Sequence, residues 1–183
     1  MNLPTKISPN SVLAGHAALR IQTGSWQQLG ADAAMVRCDV FIKEQGIPID
    51  QEWDDADHNA LHAVAFNPLG QALATGRLLV NTAKPAQSSK IGRMAVLKAE
   101  RGTGLGQAIL QTLLDAAFDR GDREITLHAQ CSAQGFYLRM GFMPRGKVFD
   151  EVGMAHIEMF KLCPPVAEPA TVNSLPCANF SAI

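Results

Sequence analysis

Residues 101–106 read Arg-Gly-Thr-Gly-Leu-Gly and fall between a strand-like segment ending near Leu97 and an amphipathic run starting near Gly104. Three glycines in six residues let the backbone bend tightly and bring its N–H groups close to a ligand without side-chain obstruction. The free N–H groups and the positive dipole end of the following helix favour an anion. A pyrophosphate fits that description; a plain strand-to-helix turn is the competing reading. Two other phosphate loops fit less well. A dinucleotide fingerprint needs G-x-G-x-x-G, whereas Gly102, Gly104 and Gly106 are followed by Ala108 and Ile109. No acidic residue ends a second parallel strand to hold a ribose. A Walker A loop needs Gly-Lys-Ser/Thr, which is absent.

The remaining pattern builds an α/β domain around that loop. Residues 17–23 alternate weakly, as a first strand ended by Gly24. Ser25 is placed to cap a helix, with Gln28 at the capping-box position. Leu29, Ala33, Val36, Val40 and Phe41 recur at helical spacing. Gly30 is expected to divide that stretch into a turn and a longer helix. The helix ends before Gly46-Ile47-Pro48, because Pro48 disfavours helical geometry in Ile47. Residues 51–59 read as an acidic loop. Strands at 60–66 and 71–80 flank the turn Asn67-Pro68-Leu69-Gly70 as a hairpin. A polar loop at 81–89 leads to a strand at 90–97. Ile109, Leu110, Leu113, Leu114, Ala117 and Phe118 mark a helix running to Gly121. A strand at 124–130, a short helix from a Ser132 cap to about Met140, and strands near 145–150 and 155–162 complete the series. The order predicts a mixed sheet with helices on both faces.

The chain of 183 residues suffices for one well-cored domain, taken as residues 17–162. Residues 1–16 form an N-terminal extension. Residues 163–183, with Pro164, Pro165, Pro169 and Pro176, read as an extended tail. The net charge of −1 gives no reason to expect a nucleic-acid partner. No apolar run is long enough to span a membrane, and Met1 to Asn10 lacks the apolar core of a secretory signal. Cys38, Cys131, Cys163 and Cys177 form no C-x-x-C pair and have no zinc spacing. Four reduced thiols in a cytoplasmic protein is the expectation. Cys131, between a strand and a helix, is a conceivable nucleophile with no base fixed beside it. Glu52, Asp54, Asp55, Asp57 and His58 do not match a calcium loop, and no metal is expected. They read as a solvated acidic loop suited to attracting a basic acceptor.

The spacing of Arg101, Gly104 and Gly106 resembles motif A of the GNAT N-acetyltransferases. Ile91 to Val96 looks like the strand that carries their cofactor arm. Ala133 to Phe142, with Phe136, Tyr137, Gly141 and Phe142 on the marked positions, resembles motif B. Together they cover roughly residues 17–162. Within that superfamily the chain is similar to the small bacterial ElaA/YjcF-type acetyltransferases, through Val40 to Gln45 and the later Phe149-x-Glu151-x-Gly153-x-x-His156. The resemblance implies a GNAT fold: a mostly antiparallel sheet with a parallel central strand pair and helices on both faces. It implies acetyl-CoA as co-substrate, with the pantetheine on the backbone of Met94, Ala95 and Val96. It places the pyrophosphate on Arg101, Gly102, Thr103, Gly104, Leu105 and Gly106. Tyr137, the single tyrosine, would donate a proton to the leaving thiolate. The N–H of Val96 would bond the thioester carbonyl.

The acceptor side is less specific. Strand 124–130 alternates, and His128 lies on its polar row, as a base, an acceptor contact or a structural histidine. Glu44 ends the first long helix, where an acid opposes the dipole. By resemblance that region borders the acceptor pocket, so Glu44 is a candidate to bind or deprotonate an amine. Glu151 and His156 rank below these. The implied reaction is acetyl transfer to a primary amine, on a small molecule or a protein, by direct attack. An acyl-homoserine-lactone-synthase-like transfer and a non-enzymatic acyl-CoA sensor are the alternatives. A homodimer is compatible with this reading.

Overall fold

The computed structural model describes residues 19–80 and 87–163. The expected extension at 1–16, the tail beyond Cys163 and Pro85 lie outside the described residues. Alternation along Leu61–Phe66 (β2) decides the layering. Ala63 and Ala65 join the apolar cluster built on Leu105–Asp119 (α3), whereas Val64 and Phe66 join the one built on Trp26–Arg37 (α1). A strand apolar on both faces must be covered on both. On one side α3 inserts Leu105, Ile109, Leu110, Leu113 and Leu114; on the other α1 inserts Leu29, Ala33 and Val36.

The sheet has seven strands: Arg20–Gly24 (β1), β2, Ala72–Val80 (β3), Ser88–Val96 (β4), Glu124–Gln130 (β5), Met143–Glu151 (β6) and Met154–Leu162 (β7). Their spatial order is β1-β2-β3-β4-β5-β7-β6. β4 and β5 are parallel and every other neighbouring pair is antiparallel. This is the mixed α/β GNAT sheet the sequence implied.

Local departures from the sequence reading have physical causes. Gly30 does not break the first helix. A Cβ there would come within 2.7 Å of the Trp26 ring, so glycine is used for close packing and α1 runs on unbroken. The chain then widens into a π-helical segment, Cys38–Glu44. β4 begins at Ser88, inside the expected polar loop, and Ser89 is buried with its hydroxyl donating to Asp122 Oδ2 at 2.6 Å. Ser132 caps no helix. It lies in the 3-10 turn Cys131–Ala133 that precedes Gln134–Arg139 (α4).

The acidic loop is solvated only in part: Asp54, Asp55 and His58 are exposed, but two of its carboxylates are not. Glu52 closes the short helix Ile49–Glu52 (α2) and Asp57 lies in the 3-10 turn Asp55–Asn59; both are buried. Arg37, 1% exposed, donates from Nε to Glu52 Oε1 at 2.5 Å and from Nη1 to Asp57 Oδ1 at 2.9 Å. Arg77 donates to Asp57 Oδ1 at 2.8 Å and to both Asp54 oxygens at 2.6 and 3.0 Å. Arg93 donates to Asp54 Oδ2 and to the Glu52 carbonyl, each at 3.0 Å. Trp26 and Trp53 lie 5.5 and 4.8 Å from the Arg37 guanidinium. Burial opposes ionisation of Asp57, but its two arginines outweigh it and hold the carboxyl below the usual range. Three arginines thus answer three carboxylates, and the loop is pinned to the sheet rather than free to attract an acceptor. Removing one partner would leave a buried charge uncompensated. Arg37→Ala is expected to destabilise the fold by about 3–5 kcal/mol, read as a lowered denaturant midpoint.

Candidate active site

The site begins where two strands part. β4 and β5 pair only from Ser88 to Lys90 against Glu124 to Thr126, and beyond those residues the ladder stops. A bulge lies just past that point. Thr75 opposes Ala95 while Arg77 opposes Gly92, so Gly76 faces two residues, Arg93 and Met94. The extra residue bends the strand. Arg93 adopts φ +51°, a strained value for a non-glycine residue. Its guanidinium, tied to Glu52 and Asp54, helps hold it there. Gly76 has no space for a side chain: a Cβ would lie 2.6 Å from Met94 Sδ and 2.8 Å from Leu113.

The parted strands open a cavity of about 750 Å³. Met94, Ala95 and Val96 form one wall, Gly102, Gly104 and Gly106 its end, and Phe136, Tyr137 and Met140 the opposite wall. Gly102 and Gly104 have φ +81° and +91°, left-handed values that favour glycine. Gly104 stands at the N-cap of α3, where no side chain bonds the first amides and no acid lies in the first turn. Those amides are free to meet an anion. Thr103 Oγ1 donates to the Glu100 carbonyl at 2.7 Å and braces the loop. The Leu105 side chain is buried and anchors the helix start in the core.

Arg101 and Glu44 meet in a way the sequence did not reveal. Arg101 donates from Nη1 and Nη2 to the two Glu44 carboxylate oxygens at 2.7 and 2.6 Å, and from Nε to the Val96 carbonyl at 3.1 Å. This hydrogen-bonded pair moves the arginine pKa up and the carboxyl pKa down. Glu44, expected beside the acceptor, lines neither cavity described here; it bridges the π-helical segment to the glycine loop.

A second, smaller cavity of about 220 Å³ adjoins the first. Its walls come from β3, β4, β5, the π-helical segment and the β6–β7 hairpin. His128 faces it, as the strand parity suggested, with Nδ1 2.9 Å from Glu151 Oε2 and Phe149 edge-on at 4.9 Å. His156 also lines it, stacked on Phe149 and bonded through Nδ1 to the Met154 carbonyl at 2.9 Å. Arg77, Lys90, Arg93 and Glu52 complete its charged lining, and sequence reasoning missed the three cations. The available signal was a cation inside otherwise apolar strands, Arg77 next to Leu78 and Lys90 next to Ile91.

Tyr137 borders both cavities, as do Gln45, Met94, Gln130 and Ala133. The tyrosine is 8% exposed and packs edge-on against Phe136 and Phe142, at 5.0 and 6.0 Å between ring centroids. Burial pushes its phenol up to about 12, so it stays protonated at neutral pH. A folded pKa raised above the unfolded value of about 10 means full stability from this group below pH 10 and a loss as pH rises towards 12. Because the chain has one tyrosine, ultraviolet difference titration reads it directly. No half-ionisation is expected near pH 10 in the folded protein; a midpoint there would contradict the buried phenol.

Residues 71–163 match the family model described as an acetyltransferase (GNAT) domain. The chain is 34% identical over 134 residues to the uncharacterized N-acetyltransferase YjcF of Bacillus subtilis, covering 71% of this chain and 90% of that protein. It superposes on Escherichia coli ElaA with a TM-score of 0.69 at 29% identity, covering 79% of this chain and 99% of the other. It superposes equally well, at 31% identity and the same coverage, on an acyl-CoA N-acyltransferase from Pseudomonas aeruginosa. The parted strands, the glycine loop with uncapped amides and these likenesses lead to one conclusion: the chain belongs to the GNAT acetyltransferase family.

Proposed function

We propose that this chain transfers an acetyl group from acetyl-CoA to a primary amine by direct attack, with Tyr137 as the general acid. One observation carries the reading: Tyr137 stands where the glycine-loop cavity meets the smaller polar cavity. An acyl donor along the first and an acceptor in the second would bring their reacting ends together at the phenol. The fit of the donor rests on this chain's own groups. The amides of Leu105 and Gly106 and the left-handed glycines suit a diphosphate. The edge of β4 from Ile91 onward, beyond its pairing with β5, suits the amides of a pantetheine arm.

The chemistry balances on these residues. As the amine nitrogen bonds the acyl carbon, the carbon–sulfur bond breaks and Tyr137 gives its proton to the leaving sulfur. The attacking nitrogen sheds a proton, for which His128, oriented by Glu151, is the acceptor in reach of the second cavity. The Val96 N–H is the candidate donor to the thioester oxygen. Glu44 acts on the donor side in this scheme, by holding Arg101.

Tyr137→Phe is expected to lower kcat by about 10²–10⁴-fold with little change in acetyl-CoA affinity, measured by thiol release with a panel of amines. Equal turnover would remove Tyr137 from the mechanism. S-adenosylmethionine consumption would favour the lactone-synthase alternative, and acyl-CoA binding without any transfer would favour the sensor. Gly104→Ala forces a side chain into a left-handed backbone. About tenfold weaker acetyl-CoA binding is expected by calorimetry, from a strain of about 1–3 kcal/mol.

A further inference from the structure

Of the cations lining the smaller cavity, Arg77 and Arg93 are matched by Asp54, Asp57 and Glu52, whereas Lys90 faces only an imidazole. Lys90 is the key group. Its ammonium lies 3.3 and 3.4 Å from the two His128 ring nitrogens, and no carboxylate approaches it within 4 Å among the described residues. The nearby carboxylates are already engaged: Glu151 by His128 and Glu158 by Arg145 at 2.6 Å. Arg77, 5% exposed, lines the same cavity, but Asp54 and Asp57 hold its Nη1 and Nη2, and its unpartnered Nε is itself buried. Arg93, the third cation on this wall, is paired with Glu52 and Asp54. Burial pulls the Lys90 ammonium down, and the Arg77 and Arg93 charges add to this while Glu151 and Glu158 oppose it. A half-buried ammonium without a carboxylate partner is costly, and a ligand carboxylate would offset that cost.

We propose that the acceptor carries a carboxylate beside its amine, that Lys90 receives that carboxylate, and that the acceptor is therefore a small amino acid-like molecule. This rests on the transferase reading above. The cavity's size agrees with a small acceptor: about 220 Å³ lies below the roughly 300–1,000 Å³ of pockets for drug-sized ligands. Lys90 touching His128 sets the distance between the two ends of the acceptor. A carboxylate on the ammonium keeps the neighbouring amine within a few atoms of the imidazole, in the cavity that Tyr137 also lines. A polyamine would bring the Lys90 ammonium a further cation instead of a counter-ion.

The test uses the full chain and matched pairs: free amino acids against their carboxamides, with spermidine as a carboxylate-free polyamine. Turnover is read as thiol release from acetyl-CoA. The free acids are expected to exceed their amides in kcat/KM by about 10- to 100-fold, the range for a charge-assisted hydrogen bond. Lys90→Met should erase that preference mainly through KM, and Lys90→Arg should restore part of it. Calorimetry with N-acetylamino acids and their carboxamides supplies a readout independent of turnover, and circular dichroism of the variants confirms folding. Acids and amides within about threefold in both readouts would overturn the inference while leaving the transferase reading intact. Better transfer to spermidine than to every amino acid would overturn it too. If no amine accepts the acetyl group, the transferase reading fails; absence of N-acetylamino acid binding would then overturn the carboxylate site separately.

Discussion

The parting of β4 from β5 is the constraint from which the rest follows. A parallel pair that stayed in register would bury the backbone of Ile91 to Val96 in sheet hydrogen bonds. Pairing ends at Lys90 and Thr126, and the bulge at Arg93 and Met94 sits immediately beyond. That bulge needs Gly76, whose missing side chain admits Met94 and brings Ile109 and Leu113 of α3 against the sheet. α3 in turn carries the glycine loop. The same packing that closes the core therefore fixes the separation between the free strand edge and the uncapped helix start.

The buried charges are the second support. Arg93 is held in a left-handed conformation while its guanidinium reaches Glu52 and Asp54, and these meet Arg37 and Arg77. A buried ion cluster of this kind contributes little net stability compared with apolar packing. Its value lies in position: it locks the segment after the π-helical turn onto β3 and β4 and forms the back of the smaller cavity. Phe41 and Gln45, delivered by that wide turn, border the cavity as well.

What the sequence made legible was local. Glycines at 102, 104 and 106 announce backbone freedom wherever they occur, and strand parity put His128 on the correct face. The sheet class followed from the order of elements, and Tyr137 from its place in a motif. What stayed hidden was non-local. The acidic run at 52–57 looks solvated because its arginine partners lie 15 to 41 residues away in sequence. The bulge depends on a three-way fit of Gly76, Met94 and α3 that no periodicity records. Gly30 read as a breaker because a glycine chosen for contact with a tryptophan ring looks the same in sequence as one chosen for a turn. Glu44 was noticed because an acid at a helix end is unfavourable; the cause is Arg101, 57 residues on.

Amide resonances offer the most direct check on whether the free edge of β4 and the start of α3 act together as one acyl-CoA seat. In a titration of isotopically labelled protein with CoA, the shifts should concentrate on Met94 to Val96 and on Gly102 to Gln107, with the far edge of the sheet at β1 unmoved. Binding that shifted neither segment, or no binding at all, would contradict the central claim and leave only the fold.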